Sequence, residues 1–142
     1  MANDIIKIEN LRRDFKVGSE TVHALRGISF SIRAGEFVTI MGTSGSGKST
    51  LLNIIVGDLD ADEGVIARTG GEYLLDGISV RAMSKSQRAI LRNRKIGFVF
   101  QSYNLLPKTT AVENVELPLL YNPSFSSRER REKALEALKA VR

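Results

Sequence analysis

Cysteine and tryptophan are both absent from the 142 residues, and proline occurs only three times. Without cysteine the chain can form no disulfide, no thiolate metal site and no cysteine nucleophile. With aromatic residues at 6%, it also lacks the interleaved aromatic and basic residues that stack on single-stranded nucleic acid. We therefore expect no nucleic-acid partner, although the formal net charge is +5.

Long apolar runs are missing as well, since no stretch approaches the ~20 residues of a membrane-spanning helix. Asp4, Lys7 and Glu9 interrupt the N-terminal region, so we expect no signal peptide. Hydrophobic residues make up 42% and charged residues 26%, the balance of a soluble globular protein. These features favour one modest cytoplasmic domain with its own core.

A glycine-rich segment, GTSGSGKST, occupies residues 42–50. Its glycines permit backbone conformations that aim several N–H groups at one anion, and a helix that begins near Lys48 adds the positive end of its dipole. The spacing is that of the Walker A phosphate-binding loop, in which we expect Lys48 to reach the β- and γ-phosphates, Ser49 to bind Mg²⁺ and Thr50 to donate near the α-phosphate. The candidate ATP-binding residues of this loop are Gly42, Thr43, Ser44, Gly45, Ser46, Gly47, Lys48, Ser49 and Thr50.

Two patterns of apolar residues predict strands. Within residues 5–33, apolar and polar residues alternate, which is typical of half-buried antiparallel strands. Residues 37–41 and 96–100 are continuous apolar runs, which are typical of strands buried on both faces. Residues 73–75 predict a further short strand, preceded by a loop over residues 58–72.

Three capping boxes predict helix starts, at residues 84–87, 110–113 and 126–129. Gly57 is expected to end the helix that follows the glycine-rich loop, and Pro118 to bend or end the second capped helix. The last helix carries an apolar stripe formed by Ala134, Leu135, Leu138 and Val141.

Asp58, Asp60 and Asp62 have the spacing of a calcium-binding loop. Position 6 of that loop would be Glu63 instead of glycine, and position 12 would be Thr69 instead of glutamate. We therefore interpret the segment as a solvated turn.

Three longer segments of the chain carry a resemblance to a known family. They are HALRGISFSIRAGEFVTIMGTSGSGKSTLLNII, RKIGFVFQSYNLLP and TAVENVELPLLY. The chain resembles the nucleotide-binding domain of ABC transporters, and within them the ATPases of lipoprotein-releasing and macrolide-export systems. The resemblance implies an α/β fold with an antiparallel β region at residues 1–36, a P-loop NTPase core at 37–101 and the start of a helical subdomain at 102–142.

The resemblance also implies roles for residues outside the glycine-rich loop. Phe15 matches the aromatic position that stacks on adenine, where tyrosine is more usual; alternatively it is a packed strand residue. Gln101 matches the Q-loop glutamine, which contacts Mg²⁺ and the attacking water and is catalytic together with Lys48. The segment from Ser102 to Pro107 matches the part that faces the transmembrane subunit, although its leucines could equally be loop anchors. His23 precedes the loop and does not match the family's switch histidine, so surface or packing is its expected place.

Three motifs of the family do not occur in the sequence: the Walker B strand that ends in Asp-Glu, the LSGGQ-type signature and the late switch histidine. The chain therefore resembles the N-terminal part of an ABC ATPase domain. Its expected ligands are ATP and Mg²⁺, whereas hydrolysis is implied for the parent family and left open for these residues. The implied partners are a transmembrane subunit at the inner face of the membrane and a second ATPase subunit.

Two other functions compete with this interpretation. One is a different P-loop NTPase. GTPases need an Asn-Lys-x-Asp guanine motif, which does not occur in the sequence. Small-molecule kinases usually open with the P-loop strand, whereas here that strand is predicted only at residues 37–41. The other is a non-catalytic module that binds the membrane subunit of a transporter. Preference for GTP would favour the first alternative, and nucleotide-independent binding to a membrane subunit the second.

Overall fold

The structure, a computed structural model, describes residues 3–59 and 66–141. It divides into two compact units, Met1–Arg88 and Ala89–Arg142, each of which is described by itself. The strands are β1 (Asp4–Val17), β2 (Glu20–Arg33), β3 (Ile66–Leu75) and β4 (Ile78–Ser79). The α-helices are α1 (Lys48–Ile55), α2 (Lys85–Lys95), α3 (Ala111–Glu116) and α4 (Ser127–Ala140), and a 3₁₀ helix covers Leu117–Tyr121.

The first unit is built on an antiparallel sheet with strand order β2-β1-β3-β4. Ile8 on the central strand β1 is paired with Phe30 of β2 and with Tyr73 of β3. The predicted strands over residues 5–33 are thus confirmed, and the alternation places one face of β1 toward a core. The buried apolar residues of the first unit are Ile8, Leu11, Leu25, Leu51, Ile54, Tyr73, Leu75 and Val80.

Strand β3 corrects the predicted loop over residues 58–72, because residues 66–72 are paired with β1. The 14-residue β1 offers a long hydrogen-bonding edge, which β3 follows to Ile66. The glycine pair at residues 70 and 71 lies where the pairing with β1 is irregular, between Glu9 and Arg12. A Cβ on Gly71 would lie 2.3 Å from the carbonyl oxygen of Asn10, so only glycine fits this close approach. Asp60 and Asp62 of the acidic turn lie outside the described residues.

Helix α1 is joined to the sheet by Tyr73. The buried Tyr73 hydroxyl donates a hydrogen bond to the carbonyl oxygen of Ile55 at 2.5 Å. Burial also raises the pKa of this phenol, which keeps it protonated as a donor. Gly57 has a φ of 81° and donates its N–H to Ile54, so the predicted helix end is confirmed.

The two predicted buried strands are not formed. Residues 37–41 and 96–100 belong to none of the described strands, and the side chains of Phe37 and Val99 are 94% and 95% exposed. A strand needs a neighbour to pair with, and no segment within residues 3–59 and 66–141 pairs with either run. The apolar composition of both runs therefore indicates burial that the described chain does not supply.

The second unit contains α3, the 3₁₀ helix and α4, with α3 packed on α4. All three predicted capping boxes are present. Ser84 and Gln87 form one in the first unit, and in the second unit Thr110 and Ser126 cap the first turns of α3 and α4. Pro118 lies where α3 gives way to the 3₁₀ helix, as predicted. Of the expected stripe on the last helix, only Ala134 is fully buried. None of the described helices has the length and apolarity to cross a membrane.

Candidate functional site

The glycine-rich loop lies directly before α1, and two of its glycines have positive φ angles. Gly45 and Gly47 have φ angles of 79° and 94°, a region that side chains rarely adopt. A Cβ on Gly47 would lie 2.7 Å from the carbonyl oxygen of Ala24 on β2. A Cβ on Gly42 would lie 2.4 Å from the hydroxyl of Ser46. Glycine at 47 thus lets the loop lie against β2.

Lys48 folds back into this loop. Its ammonium donates hydrogen bonds to the carbonyl oxygens of Gly42 and Thr43, at 2.6 and 2.7 Å, and lies 3.3 Å from the Ser46 hydroxyl. The Lys48 ammonium therefore places a positive charge at the centre of the loop. Its two backbone carbonyl acceptors can be replaced by a stronger hydrogen-bond acceptor. An anionic phosphate oxygen is such an acceptor, because charge-assisted hydrogen bonds are about twice as strong as neutral ones.

The first turn of α1 faces the same region with its backbone N–H groups. The first hydrogen bond of the helix runs from the Leu51 N–H to the Gly47 carbonyl, at 2.9 Å. The three preceding amides, those of Lys48, Ser49 and Thr50, have no carbonyl one turn earlier to donate to. The first turn carries no acidic side chain. This helix N-terminus is suited to an anion.

A cleft of about 900 Å³ opens between the loop and β2. One wall is formed by β2 and the other by the loop and the first turn of α1. The lining residues are Thr21, Val22, His23, Ala24, Arg26, Ser44, Gly45, Gly47, Lys48, Ser49 and Thr50. The cleft therefore gathers most of the predicted loop residues around one space.

Phe15, the predicted stacking residue, is half-buried on β1. Its cross-strand partner is Val22, which lines the cleft. On β1 the guanidinium of Arg13 lies over the Phe15 ring, 5.0 Å from its centroid. The ring is thus next to the cleft wall without itself lining it.

The fit of Mg²⁺ depends on what this cleft offers as ligands. Within residues 3–59 and 66–141, no group of three or more histidine, aspartate or glutamate side chains could hold a metal. The Ser49 hydroxyl lines the cleft at the start of α1. Mg²⁺ is commonly bound by one or two protein oxygens together with substrate phosphates. The cleft therefore fits a magnesium ion that arrives with a nucleotide.

Gln101 and the segment from Ser102 to Pro107 lie in the second unit. Gln101 is exposed, as are Tyr103, Leu105 and Leu106. The Leu106 N–H donates to the Asn114 side chain at 2.8 Å, which fixes the backbone of the segment on α3. The leucine side chains are therefore presented to solvent from an anchored loop.

His23 forms a surface pair with Asp14, its partner on β1, with Nδ1 and Oδ1 2.7 Å apart. Sequence reasoning found the loop wall of the cleft and missed the wall formed by β2, as well as Arg13. The signal for β2 was available in the antiparallel strands predicted over residues 5–33. A strand that pairs with the Phe15 segment lies next to Phe15 and therefore next to the predicted adenine position. No local pattern distinguishes Arg13 from the neighbouring Arg12.

Residues 25–142 match the ABC transporter family. An ABC transporter ATP-binding protein of Methanocaldococcus jannaschii, MJ0796, is 47% identical over 137 residues, covering 95% of this chain and 55% of its own length. The macrolide export ATP-binding/permease protein MacB of Brucella abortus is 50% identical over 137 residues, covering 95% of this chain and 20% of its own length.

A solved structure of MJ0796, a dimer in a post-hydrolysis state bound to ADP and Pi, has a TM-score of 0.78 with this chain at 45% identity. The match covers 94% of this chain and 56% of that one. The chain thus spans about half the length of MJ0796 and a fifth of MacB. The expected fold class, a partial P-loop domain with an antiparallel sheet and helices, is confirmed by this likeness.

Proposed function

The chain belongs to the ABC transporter family, and we propose that it forms the part of an ABC ATP-binding domain that holds the phosphates and the base of ATP. Lys48 carries this proposal, because its ammonium lies in a glycine-rich loop at a helix N-terminus. In the bound state the β- and γ-phosphates replace the two carbonyls as its partners. The amides of residues 43–50 surround the phosphate chain, Thr50 near the α-phosphate.

Mg²⁺ would be held by the Ser49 hydroxyl together with phosphate oxygens. When bound, the ion neutralises charge that builds up between the β- and γ-phosphates. Gln101 is proposed as a further contact to the ion and to the attacking water. Phe15 is proposed to stack on adenine through its π face.

Hydrolysis and export are assigned to the complete ATPase. Phosphoryl transfer needs residues that place the metal and orient water. Of that set, these 142 residues supply Lys48, Ser49 and Gln101. We propose that the complete protein couples ATP hydrolysis to export across, or extraction from, a membrane.

The complete ATPase is proposed to have two protein partners. A transmembrane subunit docks at Ser102–Pro107, where exposed leucines are presented from an anchored loop. A second ATPase subunit completes the nucleotide site, in keeping with the dimer described for MJ0796. The protein would then lie at the cytoplasmic face of the membrane through its partner.

The test is nucleotide binding by the complete gene product that carries these residues, with Lys48→Ala as the variant. Loss of the charge-assisted contacts should weaken Mg-ATP binding by about 1.5–3 kcal/mol, roughly 10- to 150-fold in Kd. Isothermal titration measures this, with Lys139→Ala on the exposed face of α4 as a matched control that keeps wild-type affinity. Equal affinity of Lys48→Ala and wild type would refute the proposal.

Two alternatives remain as outcomes of the same titration. A clear preference for Mg-GTP over Mg-ATP would indicate a different class of P-loop NTPase. Absence of nucleotide binding, together with co-purification of a membrane subunit, would indicate a non-catalytic interaction module.

A further inference from the structure

Arg13 is a charged residue in the core of the sheet, with 3% of its surface exposed. Arginine is rarely buried to this degree unless its guanidinium is paired. Here Nη1 donates to the carbonyl oxygen of Leu59, at 3.0 Å, and to the hydroxyl of Thr69. Arg13 and Thr69 are cross-strand partners on β1 and β3, so the head group is anchored on the β3 side of the central strand.

The same guanidinium lies over the ring of Phe15, 5.0 Å from its centroid. Side chains two residues apart on a strand point to the same face of the sheet, so Arg13 and Phe15 lie next to each other on one face of β1. A cation at this distance from a ring is attracted by the quadrupole of the ring. Because Arg13 is buried and anchored, it limits the positions that the half-buried ring can adopt.

The other neighbour of β1 is β2, whose residues form one wall of the cleft. Phe15 is paired with Val22 of that wall. Arg13 therefore holds the ring from the β3 side, while the cleft lies on the β2 side. A base that extends from the cleft past Val22 would meet a ring whose position is already set.

We propose that Arg13 is a positioning residue for the base end of the nucleotide site: its anchored guanidinium holds the Phe15 ring for stacking. This inference rests on the proposed function, since it assumes that ATP occupies the cleft. Arg13 does not touch the nucleotide. It fixes the Phe15 ring before the nucleotide binds, so that less side-chain conformational entropy is lost on binding.

The experiment compares two ligands, Mg-ATP and Mg-tripolyphosphate, by isothermal titration of the complete gene product. Both ligands use the glycine-rich loop, but only ATP carries a base. Arg13→Met keeps the aliphatic length and removes the charge. We expect it to weaken ATP binding by about 3- to 10-fold, the range of a single cation–π contact, and to leave tripolyphosphate binding unchanged.

Two further variants sharpen the comparison. Thr69→Val removes an anchor of the guanidinium without altering Arg13, and should weaken ATP binding by about 2- to 3-fold. It also carries the test if Arg13→Met fails to fold. Arg12→Met, at the exposed neighbouring position, is the control that should match wild type. In the double variant with Phe15→Ala, Arg13→Met should add no further loss, because the ring on which it acts is gone.

The outcomes separate the inference from the proposed function. If wild type binds both ligands and Arg13→Met binds ATP as tightly, the inference is wrong. Equal losses for ATP and tripolyphosphate would show a general structural role and would also overturn it. If the two losses add in the double variant, Arg13 does not act through Phe15. If wild type binds neither ligand, the proposed function fails and the inference fails with it.

Discussion

Gly47 illustrates how a single backbone position shapes the site. Two separate demands meet there: its φ of 94° lies in the region disfavoured for side chains, and a Cβ would lie 2.7 Å from Ala24 O and 3.2 Å from Leu25 Cδ2. The contact atom at Ala24 is backbone, which cannot move aside as the end of a flexible side chain could. An added methyl group would therefore displace the loop from β2.

We predict that Gly47→Ala lowers the free energy of unfolding by more than the ~1–2 kcal/mol that a positive φ alone costs. It should also weaken Mg-ATP binding, because the displaced loop no longer aims its amides at one point. Gly18→Ala is the matched control, since Gly18 has a φ of 60° with nothing within 4 Å of an added Cβ. Denaturant unfolding and ATP titration of both variants provide the check. Equal losses of stability and unchanged ATP affinity in both would contradict the steric explanation.

The sequence predicted the residues of the loop more fully than those that support them. The roles expected of Lys48 and Ser49 depend on a local spacing, which needs no knowledge of the rest of the fold. Arg13 is different, because its importance depends on Thr69, which lies 56 positions away. Such a contact is fixed by strand register, and a single sequence gives no direct indication of it.

Among the helices, the capping boxes of α3 and α4 show local sequence deciding local structure. At α4 the Ser126 N–H donates to the Glu129 carboxylate at 2.7 Å, and the Glu129 N–H donates to the Ser126 hydroxyl at 3.2 Å. The bond from the Ser126 backbone, followed by its hydroxyl, lowers the pKa of Glu129 below its usual 4.5. Thr110 has the same effect on Glu113 at α3.

A lowered pKa in the folded state gives this cap a defined pH dependence. The contribution of Glu129 to stability is fully present above the unfolded value of 4.5 and is lost as the pH falls through the lower folded pKa. We predict that Glu129→Gln, which keeps an acceptor but cannot titrate, flattens the loss of helix that wild type shows as the pH falls below 4.5. Circular dichroism against pH measures this, with Glu136→Gln on the same helix as the control. An identical acid profile for wild type and Glu129→Gln would rule out the cap as its source.

Elements that need long-range partners were predicted less well than those that do not. Helix starts and ends depend on residues within one turn, and α1, α3 and α4 begin where their signals lie. Residues 37–41 and 96–100 have the composition of buried strands, but a strand also requires a neighbour. Residues 66–72 show the converse, since a glycine-containing segment without a strand pattern is ordered by pairing with β1.

On the scale of the whole molecule, the exposed apolar runs are the feature that a self-contained domain would not have. The side chains of Phe37, Met41 and Val99 are each more than 85% exposed. Exposed apolar segments of this kind mark surfaces that another element covers. The chain spans 55% of the length of MJ0796, with which it shares its fold. Neither residues 37–41 nor residues 96–100 line the cleft, whose two walls are β2 and the glycine-rich loop with the first turn of α1.

The most direct measurement of the central claim is hydrogen–deuterium exchange of the complete gene product with and without Mg-ATP. Binding in the cleft predicts slower exchange at the amides of residues 43–50, because they would donate to phosphate oxygens. It also predicts slower exchange along β2 at residues 21–24, on the opposite wall. Unchanged exchange at both walls, with protection confined to other parts of the protein, would contradict nucleotide binding at this site.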